Sequence, residues 1–234
     1  MKRFLLLALA CLIGSELAAQ IYPRNIVSVR GGLNVASMSM RADGKYIGRE
    51  FRNPKIGWHI GAVDEILLLS DTPLYLDLGV MLTNKGVRYV EKSAMELEAG
   101  KTLVSCKDIT QYGIGYLQFP VCVSYHFYFG DFTIQPYAGL HYEVGLWGRL
   151  VNMQKLHSDV DQSQDGTTKS VEGLFRTGIA GRSDFGLMLG VGATYQERYY
   201  VGLSWEDGFC NILKSATTSL MHHSNFRISV GYNF

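Results

Sequence analysis

Ionisable and amide side chains recur at alternate positions in several stretches of the chain, a spacing that places them on one face of a β-strand. If those strands close into a ring, this face lines the interior and could bind a ligand or conduct an ion. The alternative is the filled interior of a small barrel, where buried charges must be paired to offset their desolvation. The set comprises Arg30, His59, Glu65, Asp77, Lys85, Gln118, His126, Gln135, His141, Glu143, Arg149, Glu206 and Arg227.

Six members of this set are predicted to form a polar network inside the barrel, with a structural role: Arg30, His59, Asp77, Glu143, Glu206 and Arg227. Arg30 and Arg227 lie on the first and last predicted strands, which become neighbours when a barrel closes. Glu143 and Glu206 are the expected counter-charges, because an unpaired buried charge is costly.

Two further groupings contain residue types used in catalysis or metal binding. His157-Ser158-Asp159 has the composition of a hydrolytic triad, but three consecutive residues cannot converge as nucleophile, base and orienting acid. His222 and His223 could hold a metal with a third ligand, yet adjacent side chains of an extended segment point in opposite directions. The sequence therefore predicts no catalytic, cofactor-binding or metal site.

The cysteines do not form a disulfide framework. Cys11 lies in an apolar run near the N-terminus, which leaves Cys106, Cys122 and Cys210, and an odd number cannot pair completely. Cys106 and Cys210 are expected near the same rim, so that a bond between them stays an open alternative. Cys122 is expected to point inward as a small packing residue.

The N-terminus has the three parts of a secretory signal peptide. Two basic residues precede the apolar run Phe4–Ile13, and small residues precede a predicted cleavage site after Ala19. Residues 1–19 are therefore predicted to be a signal peptide and residues 20–234 a single exported β-barrel domain. A lipoprotein signal ending at Cys11 is the alternative, although it would leave a very short apolar region.

Eight segments of the exported chain alternate between apolar residues and polar or small residues. The last segment, Asn225–Phe234, has one wholly apolar face, made of Phe226, Ile228, Val230, Tyr232 and Phe234. The connections between segments alternate between long and short along the chain. No segment has the roughly 20 apolar residues that a transmembrane helix needs.

This pattern predicts an all-β protein, an eight-stranded antiparallel up-and-down transmembrane β-barrel with short periplasmic turns and long extracellular loops. The chain end with Tyr232 and Phe234 resembles the C-terminal insertion signal of outer-membrane proteins, although Ser229 stands where that signal usually has glycine. The resemblance implies recognition by the barrel-assembly machinery and residence in the cell outer membrane. A soluble lipocalin-like carrier, which also has eight alternating strands, is the alternative fold. Pro120 and Pro136 cannot donate to a ladder, and a bulge or an interior partner is expected at each.

Four short stretches carry a resemblance to a known family. Arg30–Asn34, Gly57–Gly61, Tyr116–Pro120 and Asp184–Leu187 resemble signature stretches of the PorT family of outer-membrane β-barrels. The resemblance implies an eight-stranded barrel in the outer membrane. The founding member of that family belongs to a protein secretion and gliding system, whereas most relatives have no assigned role.

The predicted function is that of a non-enzymatic surface barrel, with a link to protein secretion implied only by the resemblance. Its expected contacts are outer-membrane lipid and an unknown protein partner bound by the polar extracellular loops Asn152–Arg182 and Glu91–Thr110. A formal net charge of +1 gives no reason to expect nucleic-acid binding. A lipid-modifying enzyme and a small channel are alternatives. The lipid-facing set has no His or Ser for catalysis, and eight strands leave a narrow bore.

Overall fold

The computed structural model describes residues 22–42, 45–47, 52–96, 103–158, 166–176, 180–212 and 219–234. Within these ranges the regular elements are β-strands: β1 (Asn25–Ala42), β2 (Lys45–Ile47), β3 (Arg52–Leu69), β4 (Thr72–Glu96), β5 (Leu103–Tyr125), β6 (Phe127–Phe129), β7 (Phe132–Ser158), β8 (Gly166–Gly173), β9 (Ser183–Tyr195), β10 (Tyr199–Gly208) and β11 (Ser219–Asn233). No helix among the described residues is long and apolar enough to cross a membrane.

Eight of these strands form a closed ring in the order β1, β3, β4, β5, β7, β9, β10, β11. Every neighbouring pair is antiparallel, and β11 closes the ring on β1 from Ser28 opposite Asn233 to Ala42 opposite Ser219. The short strands β2, β6 and β8 pair only at the margins of this ring, within the described part of the chain. The predicted fold, an eight-stranded antiparallel up-and-down barrel, is confirmed.

The connections at the two ends of the barrel differ in length. At one end β3 turns into β4 across Ser70 and Asp71, and β9 turns into β10 across residues 196–198. The second turn uses left-handed backbone at Gln196 and Glu197, with φ of 50° and 58°. At the other end, which we call the long-loop end, the connections after β1, β7 and β10 are longer, whereas β4 and β5 are separated only by residues 97–102. The predicted alternation of short and long connections is therefore present except between β4 and β5.

The outer surface of the ring is an apolar belt. Side chains of the alternating apolar faces point outward, and the largest exposed fractions include 70% for Ile56, 59% for Leu33 and 60% for Val230. The polar side chains of the opposite faces are buried inside. A lipocalin-like fold would place the apolar face inside, so this arrangement contradicts the soluble-carrier alternative.

A β-bulge changes the facing of β7 near the long-loop end. Gly115 pairs with Trp147 and Tyr116 pairs with Gly145, so that Leu146 has no direct partner in this ladder. One extra residue shifts the alternation by one position. Arg149, predicted to point inward, is therefore exposed, whereas Leu150 is buried.

Three strands run further than the sequence predicts. The polar stretch Glu91–Thr110, predicted as a loop, contains the last residues of β4 and the first of β5. The predicted loop Asn152–Arg182 likewise contains the end of β7 and the whole of β8. These polar segments form strands because they pair with one another along the barrel wall, which their composition alone does not reveal.

The predicted bulges at the two prolines are absent from the described ladders. Pro120 pairs with His141 and Pro136 with Val191, both without a register shift. On its other side Pro120 lies in a gap of the β4–β5 ladder, between the pairs Leu78–Val121 and Met81–Gln118. Gly79 lies against the proline ring there, where any Cβ would be too close. A glycine opposite the proline therefore replaces the expected bulge.

An apolar cluster closes the barrel interior at the long-loop end, and we call it the apolar cap. Its buried members are Met38, Val87, Ile114, Tyr116, Leu150, Leu174, Ala180, Ile212 and Met221. Leu174 and Ala180 come from the connection between β8 and β9, which docks through Leu174 N–H donating to Gly148 O at 3.2 Å. This connection therefore packs over the mouth of the barrel.

Candidate functional site

The candidate site is the polar interior of the barrel below the apolar cap. All six residues predicted for the polar network are buried there, none more than 7% exposed: Arg30, His59, Asp77, Glu143, Glu206 and Arg227. Each lies on the polar face of its strand, opposite the apolar belt. The antiparallel ring brings these faces together, although the residues are far apart in the sequence.

Glu206 on β10 is the centre of the largest group of ion pairs. Its carboxylate contacts the guanidinium of Arg227 and lies 2.8 Å from Lys85 Nζ. It also accepts hydrogen bonds from Asn225 Nδ2 at 3.0 Å and from Gln118 Nε2 at 3.1 Å. The predicted pairing of Arg227 with Glu206 is thus present, and four side chains surround one carboxylate.

Lys85 links this group to Glu143 on β7. The ammonium group contacts Glu143 Oε1, and Gln118 Nε2 donates to the same oxygen at 2.7 Å. Gln118 in turn accepts from Arg227 Nη1 at 2.8 Å. Glu143 is thus paired with Lys85 instead of an arginine.

Arg30 has a different partner from the one expected. Its guanidinium contacts Glu65 on β3 and stacks 3.8 Å from the centroid of the Tyr200 ring, instead of pairing with Glu143 or Glu206. Glu65 is adjacent because β1 pairs directly with β3. Asp77 lies nearby and accepts from Ser124 Oγ at 2.7 Å.

His59 takes part in hydrogen bonds that join the closing strands. One ring nitrogen lies 2.9 Å from Ser229 Oγ on β11, and the other lies 2.5 Å from Asn34 Oδ1 on β1. Asn34 Nδ2 also donates to Thr83 Oγ1 on β4 at 2.9 Å. This chain of contacts crosses four strands, which indicates a role in holding the ring closed.

A second cluster, which we call the His141 cluster, includes Glu143 and lies under the apolar cap. It consists of His141 and Glu143 on β7, Asp184 on β9 and His223 on β11, all at most 3% exposed. One ligand atom from each of His141, Glu143 and Asp184 lies within 4.8 Å of the others. His223 Nε2 is 3.0 Å from Asp184 Oδ2. These residue types together could hold a metal ion.

Sequence reasoning missed Asp184 and His223. His223 falls in a stretch predicted as a loop, where the sequence gives no facing for its side chain. The two side chains do point in different directions, with His223 buried and His222 partly exposed. Continuing the alternation of Asn225 and Arg227 two residues back would have placed His223 inside.

The interior is filled with side chains. In the middle of the barrel the described residues enclose a cavity of about 30 Å³, lined among others by Arg30, Cys122 and Arg227. This volume is on the scale of one water molecule. Towards the short-turn end a larger cavity of about 390 Å³ opens, lined by His126, Tyr128 and other residues. The apolar cap closes the opposite end.

A sheet that extends beyond the belt is the other candidate region, and we call it the outer sheet. It consists of residues 88–96 of β4, 103–111 of β5, 149–158 of β7 and all of β8. Every residue of β8 from Gly166 to Glu172 is exposed. The outer sheet contains most of the described part of the two predicted loops.

The remaining predicted residues are placed as follows. Cys106, Cys122 and Cys210 are all free, so that Cys106 and Cys210 do not pair, and Cys122 is buried. Tyr232 is outward-facing and packs edge-on against Tyr199 and Phe234, with centroids 5.8 and 5.3 Å apart.

Two predictions fall wholly or partly outside the described residues. The predicted signal peptide, residues 1–19, lies wholly outside them. His157 and Ser158 belong to β7, while Asp159 lies outside the described ranges. The signal peptide and the reading of His157-Ser158-Asp159 therefore stay predictions from the sequence.

Comparison with known proteins gives one family and several solved structures. The family model for the outer membrane protein beta-barrel domain matches residues 4–234. No curated protein matches the chain.

Three solved structures illustrate the structural likeness. The outer membrane protein OprG from Pseudomonas aeruginosa is 13% identical, with a TM-score of 0.40, covering 93% of this chain and 99% of that one. Ail, the attachment invasion locus protein of Yersinia pestis, is 12% identical, with a TM-score of 0.36, covering 91% and 100%. The outer membrane protease OmpT from Escherichia coli is 10% identical, with a TM-score of 0.33, covering 94% and 99%.

The closed ring of antiparallel strands agrees with the description of the family as a β-barrel domain. Since that model matches nearly the whole chain, the protein belongs to the outer membrane protein beta-barrel domain family.

Proposed function

We propose that this protein is a non-enzymatic outer-membrane barrel that binds a protein partner through its outer sheet. The observation that carries the proposal is the length of three strands. β4, β5 and β7 have 25, 23 and 27 residues. A transmembrane strand needs about 9 to 11 residues. More than half of each strand therefore serves something other than crossing the membrane.

The outer sheet offers a backbone edge for a partner. β8 pairs with β7 from Arg149 opposite Gly173 to Leu156 opposite Gly166. No strand in the described ranges pairs with the other edge of β8. An exposed edge can add a further strand from another chain, with main-chain hydrogen bonds providing the affinity.

The charges of the outer sheet favour a partner segment with acidic side chains. Its described basic side chains outnumber its described acidic ones. The basic residues are Arg88, Lys92, Lys107, Arg149, Lys155 and Lys169, and the acidic ones are Glu91, Asp108 and Glu172. Complementary charge increases the rate of association and selects among partners. The partner is therefore proposed to be an extended, acidic protein segment.

The polar interior supports a structural role, because its charges contact one another in a space closed by the apolar cap. This argues against the channel alternative.

Membership of the PorT family, and with it a role in protein secretion, is a narrower form of the proposal and rests on the sequence resemblance.

Site-specific photo-crosslinking in intact cells tests the proposal. A photoreactive residue is placed at Thr168 on β8, which is exposed, and in a matched variant at Leu203, which is 43% exposed in the apolar belt. We expect a discrete protein adduct from the Thr168 variant and none from the Leu203 variant.

Two outcomes would contradict partner binding through the outer sheet. One is the absence of protein adducts at Thr168 when the barrel is folded and present at the cell surface. The other is the formation of lipid adducts at both positions, which would place the outer sheet against the membrane. If a variant with Lys155–Ser170 replaced by a short Gly-Ser linker fully restored function to a strain lacking the protein, the functional site would instead be sought in the polar interior.

A further inference from the structure

We propose that the barrel interior binds one divalent transition-metal ion at the His141 cluster. His141, Glu143 and Asp184 would supply three ligands, and His223 would supply a fourth. This site is separate from the outer sheet and does not depend on the proposed function.

The geometry of the cluster is close to that of a metal site. The ligand atoms of His141, Glu143 and Asp184 all lie within 4.8 Å of one another. In a tetrahedral site with bonds of about 2.1 Å, neighbouring ligand atoms lie about 3.4 Å apart. His141 Nε2 is 3.4 Å from Glu143 Oε1, and Asp184 Oδ2 is 3.0 Å from His223 Nε2. Because Glu143 Oε1 also contacts Lys85, the other oxygen, Oε2, is the one that would bind the ion.

Several buried atoms of the cluster have no hydrogen-bond partner. They are His141 Nδ1, Glu143 Oε2, Asp184 Oδ2 and both ring nitrogens of His223. Asp184 Oδ2 and His223 Nε2 are near each other but are not aligned for a hydrogen bond. Buried polar atoms in native proteins nearly always have a partner. Their concentration at one point indicates a ligand that would bind both free carboxylate oxygens and one nitrogen of each histidine.

Asp184 is held so that one oxygen is directed to the cluster. Its Oδ1 accepts from the backbone N–H groups of Phe185 at 2.8 Å and Cys210 at 3.1 Å. Those two bonds fix the carboxylate and leave Oδ2 for another partner. A ligand oriented by hydrogen bonds on its other atom is the usual arrangement at metal sites.

The count of buried charged groups leaves room for a cation. Five buried carboxylates face three buried cationic side chains. The carboxylates are those of Glu65, Asp77, Glu143, Asp184 and Glu206, and the cations are Arg30, Lys85 and Arg227. With all of these ionised and the histidines neutral, one divalent ion balances the excess of two negative charges. Lys85 does not occupy the site, because it contacts Glu143 Oε1 and Glu206 and leaves Glu143 Oε2 free.

Two glycines leave the space that the cluster occupies. A Cβ at Gly208 would collide with Asp184 Oδ2 and approach His223 Cδ2 at 3.0 Å. A Cβ at Gly186 would lie 2.6 Å from His141 Cε1. Side chains at these two positions would therefore displace three of the four ligands.

The ligand types select the class of ion. Imidazole and carboxylate together suit zinc, iron or manganese, whereas magnesium and calcium prefer oxygen ligands alone. The ion would join β7, β9 and β11 across the barrel interior. Its expected role is to fasten these strands together.

Zinc content of the refolded barrel tests the site. The protein is refolded from urea into detergent micelles with Zn²⁺ and dialysed, folding is verified by its heat-dependent migration in SDS gels, and bound zinc is measured by mass spectrometry. We expect one zinc ion per folded wild-type chain. Cobalt in place of zinc should produce visible d–d absorption bands characteristic of nitrogen and oxygen ligands.

Two matched variants distinguish this site from other binding. Asp184→Asn keeps the Oδ1 acceptor but weakens the ligand, and we expect zinc content to fall at least about tenfold. Asp77→Asn changes another buried carboxylate outside the cluster and should keep one zinc ion. Folded wild-type protein with less than about a tenth of an ion per chain would overturn the proposal, whatever the variants do. Equal loss of zinc in both variants would also overturn it.

Discussion

Replacing Glu206 by glutamine should destabilise the barrel strongly. Glu206 is 1% exposed and lies among Arg227, Lys85, Gln118 and Asn225. Glutamine has nearly the same shape but no charge. Its amide N–H₂ group would replace one carboxylate oxygen and would face the donors that now bind that oxygen. Two cationic side chains then lose a counter-charge in a buried position.

The magnitude follows from the cost of breaking a buried ion pair. Removing one partner of such a pair typically costs about 3 to 5 kcal/mol, because the remaining charge stays buried without compensation. Lys85 keeps its contact with Glu143, and Arg227 keeps its bond to Gln118 Oε1. We therefore expect a loss near the lower limit, about 3 kcal/mol.

Urea unfolding of the barrel in phospholipid vesicles, followed by tryptophan fluorescence, measures this loss. The matched control is Glu172→Gln on β8, where the side chain is exposed and a change below about 0.5 kcal/mol is expected. Combining Glu206→Gln with Arg227→Gln should cost less than the sum of the two single changes by about 0.5 to 3 kcal/mol, since both disrupt the same contacts. A loss below about 1 kcal/mol for Glu206→Gln would refute the view that this ion-pair group holds the strands together.

Three further predictions concern the belt, the thiols and the apolar cap. Val121→Arg in the belt should cost about 2 to 4 kcal/mol and reduce assembly in vesicles, while Val171→Arg on β8, outside the belt, should assemble normally; equal yields would contradict the assigned membrane span. Maleimide should label Cys106 and Cys210 in the folded barrel and Cys122 only after unfolding, with mass spectrometry as the measurement, and a disulfide would appear as missing label. Leu174→Ala, at a site 1% exposed, should cost about 2 to 5 kcal/mol in urea unfolding, and a loss below about 1 kcal/mol would mean that Leu174 does not anchor this connection.

The alternation of side chains predicted the strands and their two faces, but not which face lies inside. The C-terminal aromatic residues and the long and short connections favoured a membrane barrel, in which the apolar side of each strand faces outward along the whole span. With that choice made, the positions of His59, Asp77 and Glu143 followed from the spacing. The ion-pair partners could not be predicted from the spacing. Arg30 contacts Glu65 because β1 pairs with β3, and Lys85 contacts Glu143 and Glu206 across the interior.

Two features were hidden from the sequence for physical reasons. The bulge at Gly115 and Tyr116 adds one residue to β7, and nothing in local composition shows where a ladder slips. Polar residues of the outer sheet have no apolar face to reveal a strand, so that their pairing shows only in three dimensions. Leu174 and Ala180 similarly become part of a core only because their connection folds over the barrel mouth.

The seam between β1 and β11 has a consequence for the order of folding. All other neighbours in the ring follow one another along the chain, with at most one short marginal strand between them, whereas this seam pairs residues from opposite ends of the described chain, such as Ser28 and Asn233. Loop-closure entropy opposes such contacts until most of the chain is ordered, which makes them late and slow. Until β11 is in place, β1 and β10 are both open edges that can pair with other chains. A nascent barrel therefore needs shielding from aggregation up to its last strand, and only the arrival of that strand ends the risk.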